Sequence, residues 1–232
     1  MFIELNFSKK KMHSKNFITT EDKLKFLHEK STNWYGINGR KFPWRDKISW
    51  QKLLIVELLL QRTNANKILA IYYTFFNYFT DLSKLCSASN DELIDFIYPL
   101  GLQKIRAKHL RIIACELINC EYLPEISDLI RIKGIGIYIA NATHCFYLQK
   151  RVPLLDTNFK RVYSRYFGWI FPKFYHRNRN ALEAAQKILP FERCDLFNYA
   201  IIDLSALVCK PNKPLCSSCP LVEMCFYFKA QQ

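Results

Sequence analysis

Four cysteines near the end of the sequence are close enough together to share one metal centre. Cys209, Cys216, Cys219 and Cys225 form a C-x6-C-x2-C-x5-C run. Zinc sites usually use paired C-x2-4-C knuckles, whereas the four sulfurs around an iron–sulfur cubane bind separate irons and tolerate irregular spacing. Only Cys216 and Cys219 form a knuckle, so spacing alone favours a cluster over zinc modestly. Four unligated thiols would be liable to oxidation, which disfavours the third interpretation.

Two carboxyl groups stand in settings that suit catalysis. Glu57 is the charged residue of the run LLIVELLL, which predicts a helix buried on every side. A buried carboxyl has either a structural ion-pair partner or a raised pKa and a functional role. Asp156 follows an apolar run and precedes a predicted helix, so it suits an N-cap. The helix dipole would also keep it ionised, and fixed negative charge could stabilise a reaction with oxocarbenium character.

Residues 132–136 read IKGIG and contain two of the six glycines in the sequence. Glycines permit a tight turn with close backbone approach, and the amides of a following helix N-terminus suit a phosphate oxygen. A plain helix-connecting turn explains a lone G-x-G equally well.

Helical periodicity dominates the rest of the chain, and no convincing strand alternation occurs. Apolar positions recur at helical spacing from Glu21 onward. Further helices are predicted near 49–61, 64–79, 90–97, 103–118, 126–132, 136–148, 157–167, 179–188 and 195–208. The short connections between them predict an all-α fold whose neighbouring helices pack pairwise.

Composition points to a globular protein with a polyanionic partner. Lys and Arg exceed Asp and Glu by 34 to 20, giving a formal charge of +14, which favours nucleic acid, with acidic membranes as the alternative. No run is apolar enough for a membrane span, and the start lacks the apolar core of a signal peptide. We therefore expect a cytoplasmic protein, nucleoid-associated in a prokaryote. Reduced core thiols are then expected for the scattered cysteines, which are Cys86, Cys115, Cys120, Cys145 and Cys194.

Taken in order, these elements resemble the endonuclease III superfamily of helix-hairpin-helix DNA glycosylases, from about Phe42 to Cys225. The resemblance implies that the four clustered cysteines hold a [4Fe–4S] cluster. It also implies two helical lobes with a DNA-binding cleft between them. The expected division is a flexible basic arm over 1–19, a six-helix domain over 47–151, and a discontinuous cluster domain formed by 20–46 and 152–232.

The resemblance assigns roles around the cleft, where a nucleotide is flipped out of double-stranded DNA. Asp156 would face this nucleotide, and a monovalent cation is a further expectation at the hairpin. Residues expected to contact DNA are Gln61 and Arg62 in the gap left by the base, Leu102 and Gln103 on the opposite strand, Lys133, Gly134 and Gly136 in the hairpin, and Asn158. Lys133 replaces the usual proline of the hairpin and Ile139 its usual threonine, but backbone amides do the gripping.

Tyr138 decides between two reaction types. Members of the family that also cut the strand carry a lysine at this position, because an amine can form the Schiff base that leads to β-elimination. A phenol cannot. We therefore expect a monofunctional enzyme, acting as a monomer, in which water attacks C1′ and Asp156, Glu57 and Tyr138 are the catalytic residues. Lysine chemistry at Lys133 or Lys160 is the competing possibility.

Base specificity is predicted from the same residues. Tyr138, the Arg62-Thr63 pair and the DTNF run at 156–159 are most similar to the branch that removes thymine or uracil from G·T and G·U mispairs. The FPWR run at 42–45 and Glu57 also resemble the adenine glycosylase, which usually has serine at the Tyr138 position and a further C-terminal domain. Here the sequence ends seven residues after Cys225, which favours the mismatch branch. A non-catalytic DNA-binding iron–sulfur protein is the third alternative.

Overall fold

The computed structural model describes residues 20–232, and the predicted basic arm over 1–19 lies outside them. These residues form helices without any strand, so the prediction of an all-α fold is confirmed. None of the helices in this range has the length and apolar character needed to cross a bilayer. In chain order they are α1 Thr20–Asn38, α2 Trp50–Leu60, α3 Ala65–Tyr78, α4 Leu82–Ser87, α5 Asn90–Ile97, α6 Gln103–Leu117, α7 Ile126–Leu129, α8 Ile137–Leu148, α9 Thr157–Phe167, α10 Arg179–Ile188, α11 Cys194–Leu207 and α12 Phe226–Lys229.

Six of the helices begin at a short polar side chain that caps them, and the sequence predicted one of these caps, Asp156. Each of these caps accepts a hydrogen bond from a backbone amide of the first turn, which satisfies a donor that the helix itself leaves free. The capping residues are Ser49, Asn64, Asp81, Ser89, Asp156 and Asn178. Such a cap contributes about 1 kcal/mol to the stability of its helix.

One predicted helix is shorter than expected, and one six-residue helix was not predicted. The predicted helix over 126–132 stops at Leu129, because the chain turns there to form the hairpin before α8. The sequence analysis missed α4 altogether, since six residues are too few for a clear apolar period. Asp81 caps α4, and Leu82 and Leu85 are buried, so packing stabilises this short helix.

The apolar side chains form two separate cores. The first takes in α2 to α7 and the buried Ile139 and Ala140 of α8. The second contains Leu27 of α1, Ala142 of α8 and the apolar faces of α9, α10 and α11. Helix α8 therefore contributes to both cores and lies at the boundary between the lobes. This division resembles the predicted one, although the domain boundaries themselves stay a prediction.

Cys86 and Cys115 correct the expectation that every cysteine outside the cluster is reduced. They form a disulfide with their Cα atoms 4.9 Å apart. Cys86 lies in the last turn of α4 and Cys115 in the last turns of α6, and these two helices pack against each other. The sequence could not predict the pairing, because it depends on the short helix α4 that periodicity did not detect.

Asp203 of α11 joins the segment after α1 to the second core. Its side chain is completely buried and accepts paired hydrogen bonds of 2.8 Å from both Nη atoms of Arg45. It also accepts from the backbone N and Nε of Arg40 at 2.7 and 2.8 Å. Burial alone would raise the pKa of Asp203, but the hydrogen bonds and charges of these arginines outweigh it and hold the pKa below its usual value.

Candidate active site and nucleic-acid interface

A cleft of about 1220 Å³ opens between the two lobes and brings together most of the predicted site residues. Its walls come from the ends of α2, α6 and α9 and from the start of α8. The predicted residues that line it are Glu57, Gln61, Arg62, Leu102, Gly136, Tyr138, Asp156 and Asn158. Gln103 and Gly134 are adjacent in the chain to lining residues, and Lys133 precedes Gly134, but none of these three residues lines the cleft itself.

Glu57 is the buried acid of this cleft. It lies in α2, where its neighbours are buried on all sides, and only 6% of its surface is exposed. Burial raises the pKa of Glu57 to about 7; the charge of Arg45 lowers it and that of Asp156 raises it. Because Arg45 is bound to Asp203 on both Nη atoms, it only partly offsets the cost of burying Glu57. Both protonation states of Glu57 are therefore populated near neutral pH.

We expect Glu57→Gln to stabilise the protein at pH 8. Burial raises the folded-state pKa of Glu57 from 4.5 to about 7, so folding favours the protonated side chain. The resulting contribution to the free energy of unfolding is complete below pH 4.5 and is lost as the pH rises through about 7. At about 1.4 kcal/mol for each pKa unit, the variant should gain about 3 kcal/mol over the wild type at pH 8. Urea unfolding at pH 5 and pH 8 measures this difference. The control is Glu116→Gln, a change at an exposed residue. If Glu57→Gln differed from the wild type by the same free energy of unfolding at pH 5 and at pH 8, the burial argument would be contradicted.

Asp156 caps α9 and points the rest of its carboxylate into the cleft. One oxygen, Oδ1, accepts hydrogen bonds from the backbone amides of Asn158 at 2.8 Å and Phe159 at 3.0 Å. The other, Oδ2, accepts one from the Asn158 side-chain amide at 2.9 Å. Burial raises the pKa of Asp156 above its usual value, and these bonds together with the charge of Arg161 offset only part of that rise. The N-cap predicted from the sequence is therefore confirmed, and it holds the carboxylate in one orientation.

Tyr138 is in the first turn of α8 and lines the same cleft as the two acids. Burial raises its pKa well above the usual value, and the charges of Glu57 and Asp156 raise it further. The phenol consequently stays protonated at neutral pH. Its hydroxyl can donate or accept a hydrogen bond, but it offers no amine for Schiff-base chemistry.

The hairpin between α7 and α8 has the geometry that its glycines suggested. Gly134 has a φ of +104°, and a Cβ atom placed there would lie 2.8 Å from the His109 ring, so only glycine fits. Gly136 is the N-cap residue of α8 and has no side chain to satisfy the first amides of the helix. It is exposed, as is Lys133. Free amides and a cation on one exposed turn suit an anionic group such as a phosphate.

Two turns at the cleft present exposed side chains from left-handed backbone. Arg62, after α2, has a φ of 54°, and Leu102, before α6, has a φ of 55°. Leu102 is 56% exposed although it is a large apolar residue. Gln61 and Arg62 are also exposed. Backbone in this region is unfavourable for residues other than glycine and is often found at functional sites.

Several lining residues were missed by the sequence analysis. A turn formed by Tyr175, His176 and Arg177 reaches the cleft from between α9 and α10, and the Nζ atom of Lys160 lies 4.8 Å from the centre of the Tyr175 ring. The only signal for this turn was the excess of basic residues over 150–179. Tyr199 of α11 also lines the cleft and stacks on Phe146 of α8, with ring centres 4.0 Å apart.

The four C-terminal cysteines lie beside the second core. All are free and half-buried; burial raises the pKa of Cys219, and the charges of the other three cysteines raise it further. The Sγ atom of Cys209 accepts a hydrogen bond of 3.4 Å from Arg165 of α9. Across residues 20–232, no three His, Cys, Asp or Glu side chains converge in the way that a single metal ion requires. The four thiolates of a cubane cluster bind four different irons, so they surround it at wider spacing than the ligands of one ion.

Comparison with known proteins agrees with this geometry. The model of the HhH-GPD superfamily base excision DNA repair protein matches residues 55–190. A thymine/uracil-DNA glycosylase of Methanothermobacter thermautotrophicus is 29% identical over 214 residues, which cover 90% of this chain and 96% of that protein. An adenine DNA glycosylase of Buchnera aphidicola subsp. Schizaphis graminum is 32% identical over 85% of this chain, but only 58% of that protein is covered. The solved structure of a thermostable thymine-DNA glycosylase superposes with a TM-score of 0.83 at 29% identity, covering 91% of this chain and 99% of its own.

Proposed function

Because this chain belongs to the HhH-GPD superfamily of base excision DNA repair proteins, we propose that it removes thymine or uracil mispaired with guanine from double-stranded DNA. It is a DNA glycosylase, an enzyme that hydrolyses N-glycosidic bonds. The observation that carries the finer proposal is the cleft, where Glu57, Tyr138 and Asp156 meet between the hairpin and the two exposed turns. The similarity to thymine and thymine/uracil glycosylases over nearly their whole length supports the same base specificity.

In this proposal, the extruded nucleotide enters the cleft with its sugar beside Asp156. As the N-glycosidic bond breaks, the fixed carboxylate stabilises the positive charge that develops on the sugar. Water attacks C1′ as the bond to N1 breaks, and the base leaves with its negative charge spread over O2 and O4. The proton that the water loses then neutralises the departed base. Extrusion costs a few kcal/mol, and least at a mispair, which contributes part of the selectivity.

The outer residues hold the DNA while this happens. Lys133, Gly134 and Gly136 bind the backbone of one strand through amides and charge, and a monovalent cation at this hairpin stays a prediction. Gln61 and Arg62 fill the gap left by the base, and Leu102 and Gln103 probe the opposite strand. Asn158 orients Asp156 through its side-chain amide. A monomer suffices, because one chain supplies every group.

Glu57 has two available roles, and its pKa near 7 separates them. Protonated, it can donate a hydrogen bond to a carbonyl of the departing pyrimidine; ionised, it can orient the attacking water. Since a purine would instead be protonated on a ring nitrogen, the first role is compatible with adenine as well. A single-turnover rate that falls above pH 7 identifies the donor role, and one that rises identifies the water-orienting role.

The experiment that tests the function compares duplexes carrying G·T, G·U or adenine opposite 8-oxoguanine. Strand breakage at T or U that appears only after alkali treatment is expected, because a monofunctional enzyme leaves an intact strand with an abasic site. Breakage opposite 8-oxoguanine instead would favour adenine removal, the activity after which the Buchnera relative is named. Breakage without alkali, with borohydride trapping of the enzyme on DNA, would indicate lysine chemistry. Binding to DNA without any base release would favour a non-catalytic protein.

We further propose that Cys209, Cys216, Cys219 and Cys225 hold a [4Fe–4S] cluster. Their fit rests on four free thiols of one lobe, with the Arg165 guanidinium beside Cys209 to offset the negative charge of thiolates. The cluster would join α9, α11 and α12 to the C-terminal loop. In this position it contributes to structure.

Purified protein should contain iron and inorganic sulfide in equal amounts and absorb visible light. Changing Cys219 to serine should remove the iron, the sulfide and the visible absorption, because a hydroxyl is a poor ligand for these irons. The matched control is Cys120→Ser, a free and half-buried cysteine of the other lobe, which should keep its iron. Zinc in place of iron in the wild-type protein would overturn the cluster assignment.

A further inference from the structure

We propose that Arg106 is a positioning residue that holds the two exposed turns of the cleft in the geometry that replaces an extruded base. The inference rests on the proposed function, because that function gives the turns at Arg62 and Leu102 their place in the DNA. Arg106 does not touch DNA in this proposal. It acts from beneath, through the backbone of both turns.

The contacts of Arg106 link α6 to the end of α2. Its Nη1 atom donates to the carbonyl of Leu59 at 3.1 Å, and its Nη2 atom donates to the hydroxyl of Thr63 at 2.6 Å and to the carbonyl of Gln61. The Thr63 hydroxyl in turn donates to the Gln61 carbonyl. One guanidinium thus fixes acceptors on both sides of Arg62, the exposed residue of the turn.

The same residue is tied to the second turn. The backbone amide of Arg106 donates to the carbonyl of Leu102 at 3.0 Å, which closes the first turn of α6. Leu102 is the N-cap residue of α6 but provides no capping side chain. Arg106 is therefore bonded through its side chain to the Gln61–Thr63 turn and through its backbone to Leu102.

The guanidinium of Arg106 is buried and is bonded to neutral acceptors only. Arg106 is only 5% exposed, and among residues 20–232 no carboxylate lies within ion-pair distance of it. Its partners are instead carbonyls at the C-terminal end of α2, where helix carbonyls lack intrahelical donors and the dipole is negative. Keeping an unpaired charge buried is costly. Local helix capping alone does not require a cation this deep.

What the guanidinium holds is the strained backbone at Arg62, and the backbone bond of Arg106 to Leu102 joins the second turn to the same point of α6. Arg62 and Leu102 both have left-handed backbone without being glycine, and each such residue costs about 1 kcal/mol or more. A turn of this kind relaxes unless its neighbours are fixed, and Arg106 fixes the residues before and after Arg62. The two side chains are then held out from the protein before DNA binds, so that little ordering remains to be done during base extrusion.

The test uses a duplex in which 2-aminopurine follows the target nucleotide, since its fluorescence rises when a side chain replaces the extruded base. The proteins compared at saturating concentration are wild type, Arg106→Met, Arg106→Lys and Arg151→Met. Arg151 is the matched control: it donates to the carbonyls of Gln186 and Leu189 at the C-terminal end of α10, and none of these three residues lines the cleft. Arg106→Met should lose most of the fluorescence rise, Arg106→Lys should keep part of it, and Arg151→Met should keep all.

Base release gives a second readout. For Arg106→Met the single-turnover rate on G·U should fall about 100-fold, the scale of a misplaced group, while the rate on uracil opposite an abasic site falls much less, because that base is already loosened. Affinity for undamaged duplex should be unchanged. A wild-type fluorescence rise in Arg106→Met, equal losses in Arg106→Met and Arg151→Met, or no rise in the wild type would each overturn the proposal. A wild-type rise without release of T or U would overturn the proposed function and leave the role of Arg106 standing.

Discussion

Changing Asp156 to asparagine should lower base release about 1000-fold, because removing a fixed electrostatic stabiliser of a transition state has an effect of this size. Asparagine keeps the shape of the side chain and caps a helix as well as aspartate does, so α9 should stay intact. The variant loses the negative charge beside the sugar, together with the oxygen that accepts from the Asn158 side-chain amide. The measurement is the single-turnover rate on G·T and G·U duplexes, together with the dissociation constant for the same duplexes, which should change little.

Asp81→Asn is the control for this variant. Asp81 caps α4 through the same kind of bond, accepting from the amide of Lys84, but lies outside the cleft. Its rate should match the wild type. If Asp156→Asn keeps a tenth of the wild-type rate or more, Asp156 is a structural cap and the catalytic proposal fails.

Changing Asp203 to asparagine should lower the free energy of unfolding by about 3–5 kcal/mol, the usual cost of breaking a buried ion pair from one side. The Asp203 side chain is completely buried and that of Arg45 is 9% exposed, so the variant leaves buried positive charge without compensation. The folded-state pKa of Asp203 lies below its usual 3.8, so its contribution is present above that pH and lost as the pH falls through the folded value. Urea unfolding at pH 7, followed by circular dichroism, measures the loss.

Asp195→Asn is the matched control, since Asp195 is on the same helix and pairs with Arg193, which is 61% exposed. That exposed pair should contribute no more than about 1 kcal/mol. Equal losses in the two variants would mean that burial adds nothing to the Asp203 network. The difference between them measures how strongly Arg40 and Arg45 hold the first segment of the chain against α11.

The parts of the site that the sequence predicted are those with a local cause. Asp156 was recognisable as a cap because its neighbours change from an apolar run to a helix, and Glu57 as buried because its helix is apolar on every side. The strain at Gly134 likewise follows from a glycine in a tight turn. These signals act over a few residues, so they can be read without knowledge of the fold.

The remaining parts depend on residues far apart in sequence. Arg106 is separated from Gln61 by 45 residues, and nothing in its own segment distinguishes it from the exposed cations of α6. The Cys86–Cys115 disulfide required α4, which is too short to detect. Tyr175 and His176 belong to an irregular segment without a period. Such contacts are set by tertiary packing, which local patterns do not encode.

Helix α1 and the segment after it, which contains Arg45, both pack against α11, and the order in which the chain is synthesised affects when they can do so. Arg45 precedes Asp203 by 158 residues, a stretch that takes a ribosome about 8–30 seconds to make. The first core can collapse during this interval, but Leu27 and Arg45 have to wait for α11 before they are covered. The nascent protein therefore carries an uncovered helix at its leading end for most of its synthesis. Chaperones that bind exposed apolar segments should meet this chain there, and the catalytic cleft comes into being as one of the last events of folding.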